Sequence, residues 1–402
     1  MKEIKIADCD VCIIGGSLTG NYLSYLLSKT NLKILVIEEH EQIGLPLQCA
    51  GIVSQKLSNL IELPPEIILN RVDTAKIVAP SGVFIKLAGN EKPYIIDRVG
   101  LDRLFYEKIK YNENIQYSFG EKFRNFQIIK QNQEKLVLIE TNKRKIKANI
   151  LVGCDGPLTS VGKILGIKND NLFATQIRIK GQFNENEALL FFDRRWRELF
   201  GWIVPEGNNI YRIGIASSKN IGKNFRTFLN RLKINPDQKI DQQGGLIPYG
   251  LMNKLAFNNV LLVGDSACQV KATTGGGIIM LLTAGKYAAE CIKKCFKYKK
   301  FTRRIIKRNY ETPCRIKIGR ELKIHYLIRA FLEKCTKKDF EKIFRIIKKS
   351  EIETLISIYG DMDFPRATIF KIIKNPLFLF FLIKFLIKNP QILFKVIRVI
   401  LY

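Results

Sequence analysis

A chain of 402 residues with 47% hydrophobic content is long enough to bury a large core and reads as globular, in two or three units. Nine cysteines, an odd number, and only two histidines, His40 and His325, argue against a disulfide scaffold or a zinc site and for a reducing compartment. The net charge of +29 raises nucleic acid or an anionic membrane as partners. Lysines are nevertheless scattered throughout and no nucleic-acid-binding module is present, so nucleic acid is the weaker choice and a solvated lysine-rich surface accounts for much of the excess.

At the N terminus, Met1-Lys-Glu-Ile-Lys-Ile lacks the charged region, apolar stretch and cleavage site of a signal peptide, so a cytoplasmic protein is expected. Asp10-Val-Cys-Ile-Ile-Gly-Gly-Ser-Leu-Thr-Gly20 predicts a strand over 11–14, a glycine turn and a helix from about Thr19, and a second strand over 33–37 ends at Glu38. This is a βαβ dinucleotide pattern. Gly15 makes the tight turn, a small residue at 17 admits a pyrophosphate, Gly20 lets helix and strand pack closely, and Glu38 holds an adenosine ribose. Ser17 replaces the second glycine of G-x-G-x-x-G, leaving Gly16 to share its work. A glycine turn that holds no nucleotide is the alternative.

Strand-like runs follow within 74–87, then a buried strand in Asn149-Ile-Leu-Val-Gly-Cys-Asp-Gly156 that ends at Asp155, and further strands over 188–192 and 211–215. An apolar strand over 260–263 delivers Gly264 and Asp265. Gln269-Val-Lys-Ala-Thr-Thr-Gly-Gly-Gly277 then turns into a long apolar helix from about Ile278. A turn of Gly275, Gly276 and Gly277 before Ile278 aims backbone N–H groups and a positive helix end at one point, which suits a reduced, anionic isoalloxazine, while Asp265 can accept from a ribityl hydroxyl. Together these elements point to FAD. The expected fold class is α/β: a Rossmann-like FAD-binding domain (1–72, 97–172 and 257–300) interleaved with a substrate-side antiparallel sheet domain (73–96 and 173–256), plus a helical C-terminal region (301–402). Cys291 and Cys295 share a helix face, and a Cys314–Cys335 pairing stays open.

On these motifs the chain resembles the geranylgeranyl reductase family within the flavoproteins that share the p-hydroxybenzoate hydroxylase fold, over roughly residues 8–330. Gly44-Leu-Pro-Leu-Gln-Cys-Ala-Gly51 is similar to the family's Pro-x-x-Cys-(Ala)-Gly segment, which implies that Cys49 is catalytic beside the flavin ring and that Pro46 and Gly51 face substrate. Phe200-Gly-Trp-Ile-Val-Pro205 resembles the Tyr-x-Trp-x-Phe-Pro motif of the prenyl channel, which implies substrate contacts for Trp202 and Pro205 and catalytic roles for Trp202 and Phe200. Phe200 stands for Tyr and Val204 for Phe, so an orienting or proton-donating role at 200 is open. Arg98 is similar to a flavin-side arginine at a helix start, and Ala272 stands where the family has Pro. Each residue has a bland counterpart: Cys49 as a small hydrophobe, Trp202 as core, Arg98 as the partner of Asp102 at helical spacing.

The resemblance implies an FAD-dependent oxidoreductase that saturates C=C bonds of geranylgeranyl chains, on archaeal-type membrane glycerolipid precursors. No iron–sulfur cysteine spacing is present, so an external donor (a nicotinamide, ferredoxin or another carrier) is expected. With two histidines, proton transfer falls to a thiol, a lysine or flavin-bound water. An FAD monooxygenase or halogenase of the same fold is the rival, and Ser17, Phe200 and Ala272 keep open a catalytically silent flavoprotein that binds prenyl lipid.

The tail predicts two short helices, 376–388 and 390–402, each begun by Asn-Pro as N-cap and first-turn proline. Each is about 20 Å long, short of a hydrocarbon core of roughly 30 Å. In the second, Gln391, Lys395 and Arg398 share one face of an otherwise apolar helix, which fits an amphipathic segment lying peripherally on the inner face of the cell membrane. Packing on the protein itself, as a tunnel cap or dimer contact, uses the same pattern.

Overall fold

The computed structural model describes residues 7–46 and 49–401; Leu47 and Gln48 of the Cys49 segment, Tyr402 of the tail and the opening hexapeptide lie outside the described residues. Cys9–Ile14, Ile34–Ile37 and Val260–Leu262 are buried almost throughout. Such continuously apolar strands belong in a parallel layer covered on both faces, and that is where they lie. The parallel order is Ile115–Ser118, Ile34–Ile37, Cys9–Ile14, Lys145–Gly153, Val260–Leu262. An antiparallel pair, Glu134–Thr141 and Phe123–Gln131, continues from the first half of Lys145–Gly153. Helices Leu18–Leu27 and Ile278–Lys297 pack against the layer and against each other.

Because these strands run the same way, their carboxyl ends open onto one edge, the usual place for a ligand in an open α/β sheet. Backbone bonds hold that edge together: Gly15 N donates to Ile37 O at 2.8 Å, Cys154 N to Ile14 O at 2.8 Å and Val263 N to Gly153 O at 3.0 Å.

The second sheet has seven strands in the order Lys239–Tyr249, Asp170–Lys180, Ile210–Ser217, Gly201–Gly207, Glu187–Phe191, Thr74–Val78, Phe84–Leu87, antiparallel except where Glu187–Phe191 meets Thr74–Val78. A small sheet of Ile52–Val53, Tyr94–Ile96 and Ile68–Arg71 lies between the two in the chain. The fold is therefore the interleaved α/β arrangement expected, with a Rossmann-like layer, a mainly antiparallel sheet and a helical C-terminal region.

That region opens with a helical run from Arg303 to Lys334 that widens into π turns at Lys307–Glu311 and Arg315–Gly319, on either side of Pro313, whose ring and missing N–H disfavour regular helix. Lys337–Lys349 follows behind a Thr336/Asp339 capping box, then Ile352–Tyr359, Arg366–Ile373, Pro376–Lys388 and Pro390–Leu401. Asn375 caps the first tail helix as expected, accepting from Leu377 N and Phe378 N. Asn389 does otherwise: its amide donates back to Phe385 O at 2.9 Å, closing the helix before it rather than opening the one after. Phe381, Phe385, Ile392 and Val399 turn inward onto Phe340, Phe344 and Ile85, and Phe385 meets Phe331 at a ring separation of 4.6 Å.

All nine cysteines are free, and Cys314 and Cys335 belong to different core clusters. Cys9 and Cys12 stand at C-x-x-C spacing, but inside a buried strand, where burial followed by Cys9 pushes the Cys12 thiol well above its usual pKa. No reactive thiolate is held there.

Candidate active site

A cavity of about 560 Å³ lies at the carboxyl edge of the parallel layer. Gly15, Gly16, Ser17, Glu38, Arg98, Asp155 and Asp265 all line it, as do Pro46 and Cys49 and, from the second sheet, Gly245 and Leu246. Gly20, Gly51, Phe200, Trp202, Pro205, Gly264 and the Gly275–Gly276–Gly277–Ile278 turn do not line it.

The βα turn needs its glycines. At Gly15, φ is +103° and a Cβ would sit 2.4 Å from Cys154 O; at Gly20 a Cβ would sit 1.9 Å from Gly15 O. Ser17 is the N-cap residue of Leu18–Leu27, but its hydroxyl donates to Asp102 at 3.2 Å instead of capping the helix. The amide N–H groups of that first turn are thus left facing the cavity. Glu38 is buried and already engaged: Oε2 accepts from Gly16 N at 2.7 Å and Oε1 from His40 N at 2.9 Å.

Asp155 differs from expectation. It lines the cavity, yet Thr159 Oγ1 and Val161 N each donate to its carboxylate at 2.9 Å, so the side chain braces the next short helix. Asp265 is the opposite case, since among the described residues nothing donates to its carboxylate. Burial, opposed by Arg98, pushes its pKa up to about 6. Arg98 opens helix Arg98–Ile109 and lies 2.5 Å from Asp102, so pairing with Asp102 and a place at the cavity both hold. Burial disfavours its charge, but Asp102, then Cys49 and Asp265, outweigh burial and hold its pKa above the usual value. Gly264, at φ +81°, puts Asp265 in a tight turn against Thr19. Gly277 adjoins Asp265: a Cβ there would lie 3.4 Å from Oδ1. Among the described residues the N–H groups of Gly277 and Ile278, at the start of Ile278–Lys297, have no partner.

Cys49 is the one cysteine not buried. Its loop is tied to the second sheet by a relay: Trp202 Nε1 donates to Gln176 Oε1 at 3.1 Å, and Gln176 Nε2 donates to Cys49 O at 3.0 Å. Buried Arg212 donates to Ala50 O at 2.9 Å. Gly51, at φ +75°, is required there, because a Cβ would stand 2.0 Å from that guanidinium. Trp202 pairs with Gly214 across the sheet, where the missing side chain makes room for the indole. Trp202 and Phe200 sit in an apolar cluster with Leu172, Val204 and Ala216.

Sequence reasoning missed what stands behind the glycine turn. Lys271, in the turn, and Asp363, near the C terminus, form a buried ion pair at 2.6 Å, and Ser54 donates to the same carboxylate at 2.5 Å. His325 meets Thr273 Oγ1 at 2.6 Å and Asp363 O at 3.2 Å. The guanidinium of Arg329, fully buried, donates to Ala272 O at 2.9 Å, Thr273 O at 2.7 Å and the carbonyls of Arg197 and Leu199. Burial lowers its pKa to about 10, which still leaves it charged at neutral pH. The signals available were a lysine in a small-residue turn and the acids Asp361 and Asp363, after which the chain carries no further Asp or Glu.

A model of an NAD(P)-binding Rossmann-like domain matches residues 13–71. An uncharacterized protein of Methanocaldococcus jannaschii is 30% identical over 389 residues, covering 92% of this chain and 95% of that protein. Digeranylgeranylglycerophospholipid reductase 1 of Methanococcoides burtonii is 26% identical over 369 residues, covering 86% of this chain and 89% of that enzyme. Among solved structures, a geranylgeranyl bacteriochlorophyll reductase-like protein of Thermoplasma acidophilum superposes with a TM-score of 0.80 at 20% identity, over 96% of this chain and 99% of that one. With full-length relatives of this kind and a shared fold, the chain belongs to the geranylgeranyl reductase family of oxidoreductases.

Proposed function

We propose that this protein is an FAD-dependent reductase that saturates C=C bonds of geranylgeranyl chains on archaeal-type glycerolipid precursors, in the cytoplasm at the inner face of the membrane. One observation carries the cofactor reading: Asp265, whose carboxylate has no donor among the described residues, lines a cavity shared with a βα turn that admits no side chain at Gly15. The residues fit the group. Gly15, Gly16 and Ser17 would hold the pyrophosphate, Glu38 the adenosine ribose, Asp265 a ribityl hydroxyl, and the free N–H groups of Gly277 and Ile278 the anionic edge of the ring. Kinship with digeranylgeranylglycerophospholipid reductase 1 supports reduction over oxygenation.

When bound, the flavin supplies a hydride to one alkene carbon. The other carbon needs a proton; Cys49 and Cys154 both line the cavity, and Cys49 is the one of the two that is not buried. Its loop is held by Gln176 and Arg212, so Trp202 acts as a positioning residue through Gln176. Arg98 is the cation on the cavity wall and would favour a reduced, anionic cofactor, while Lys271, paired with Asp363, and Arg329 steady the glycine turn behind it. The apolar cluster of Phe200, Leu172 and Val204 packs against Ala50, next to Cys49, and keeps water from that side of the loop. Electrons come from an external donor, a nicotinamide, ferredoxin or another carrier.

The test is anaerobic. The protein is reconstituted with FAD, reduced with dithionite and given a geranylgeranylated glycerophospholipid. Reoxidation with a product heavier by two hydrogens per bond is expected. A flavin that stays reduced until oxygen enters, with oxygen gained by the product, would establish the monooxygenase instead; failure to take up FAD would leave only lipid binding.

A further inference from the structure

We infer that the outward face of the two tail helices, Pro376–Lys388 and Pro390–Leu401, is a docking site for an anionic lipid bilayer. This deepens the placement at the membrane just proposed and rests on that reading for its choice of lipid. The tail packs one side inward, through Phe381, Phe385, Ile392 and Val399, which fixes which side faces out. What faces out is apolar: Phe380 is 59% exposed, Ile387 74% and Phe394 72%, with Leu377, Ile383 and Ile397 beside them. Large apolar side chains crowded on one surface need a cover.

Charge selects the occupant. No Asp or Glu follows Asp363, whereas five lysines and two arginines do. Lys384 Nζ lies 4.1 Å from the centre of the Phe380 ring, so stem and ring lie together with the charge at the rim, as a headgroup–acyl boundary requires. A second copy of the chain is the poorer cover. A twofold contact of this face with itself would set the same cations against each other, and interface cores are depleted of lysine. Among the described residues no single helix is long and apolar enough to cross a membrane, and the tail pair, which has that length and composition only when taken together, turns through 104° at its break. Two axes meeting at that angle share a plane, so both can lie flat on one surface.

The test is cosedimentation of the full chain with vesicles of phosphatidylglycerol and phosphatidylcholine in equal parts, and with phosphatidylcholine alone. Binding to the anionic vesicles, weakened by salt and weaker on phosphatidylcholine, is expected. Phe380→Ser with Phe394→Ser should abolish it without lowering the melting temperature, since both side chains are exposed. Lys384→Glu with Lys388→Glu should weaken anionic binding by at least about tenfold. Wild type left in the supernatant, equal binding to both vesicles, or a dimer that the phenylalanine variants split would each overturn the proposal. Binding is scored without flavin chemistry, so turnover of detergent-dispersed lipid without vesicle binding would sink the docking and leave the reductase standing; vesicle binding without turnover would do the reverse.

Discussion

Replacing Asp363 by Ala tests whether the C-terminal region holds the glycine turn. The Lys271 and Asp363 side chains are 5% and 1% exposed, and Nζ–Oδ1 is 2.6 Å. Asp363→Ala leaves a buried ammonium with the Met362 carbonyl at 3.1 Å as its remaining bond and takes the acceptor from Ser54. Orphaning one member of a buried pair costs about 3–5 kcal/mol, and the lost hydroxyl bond adds about 1 kcal/mol. Lys271→Met orphans the carboxylate instead, at a similar cost softened by Ser54. Lys271→Met with Asp363→Leu removes both charges and should cost no more than about 2 kcal/mol, far less than the sum of the two single variants. The measurement is urea unfolding by tryptophan fluorescence and circular dichroism, read as a free energy when the two transitions coincide. Lys271 Cε lies 2.9 Å from where a Gly276 Cβ would stand, so each single variant should also weaken FAD binding. A cost under about 1 kcal/mol for Asp363→Ala, or additive singles, would refute the reasoning.

Asp265→Ala should weaken FAD about 10- to 100-fold by flavin fluorescence titration, the worth of a hydrogen bond to a carboxylate, and an unchanged Kd would remove Asp265 from the site. Burial, then the charge of Lys271, lowers the His325 pKa from 6.5 to about 4. Between those values the unfolded chain takes a proton that the native state refuses, so stability is whole above pH 6.5 and falls by about 3 kcal/mol as pH drops towards 4. His325→Asn should flatten that acid limb in urea midpoints across the range. Trp202→Phe leaves Gln176 Oε1 without its donor, at about 1–3 kcal/mol, and should speed alkylation of Cys49 followed by mass spectrometry; an unchanged rate would mean Gln176 does not set the loop. Gly20→Ala, with Cβ 1.9 Å from a carbonyl oxygen, should yield protein that takes up no FAD.

Much of the fold was legible because its signals are local. Apolar runs that end in glycine, an acid closing the second strand, and Asn-Pro before an apolar helix each mark structure within a few residues. Register and distant pairing leave no such mark. Nothing in the sequence around Trp202 says that it lies over Gly214, and nothing near Lys271 names a partner 92 residues on. Arg329 bonds only backbone carbonyls, which every residue carries. Asp155 shows a competition that the local sequence does not announce: it lines the cavity, while Thr159 and Val161 also donate to its carboxylate. Asn389 shows the same competition, satisfying the helix behind it before the one ahead.

The clamp on the glycine turn also orders events during translation. Ser54, Lys271, His325 and Asp363 close it from four distant positions, and the last emerges when almost the whole chain has been made. A nascent chain therefore carries every glycine of the nucleotide turn long before it carries the counterion that steadies Lys271. A chain stopped before residue 363 would display the full fingerprint yet lack the partner of Lys271. A chain stopped after residue 375 would keep the clamp but lose the tail and the packing of Phe381 and Phe385 on the helices before it.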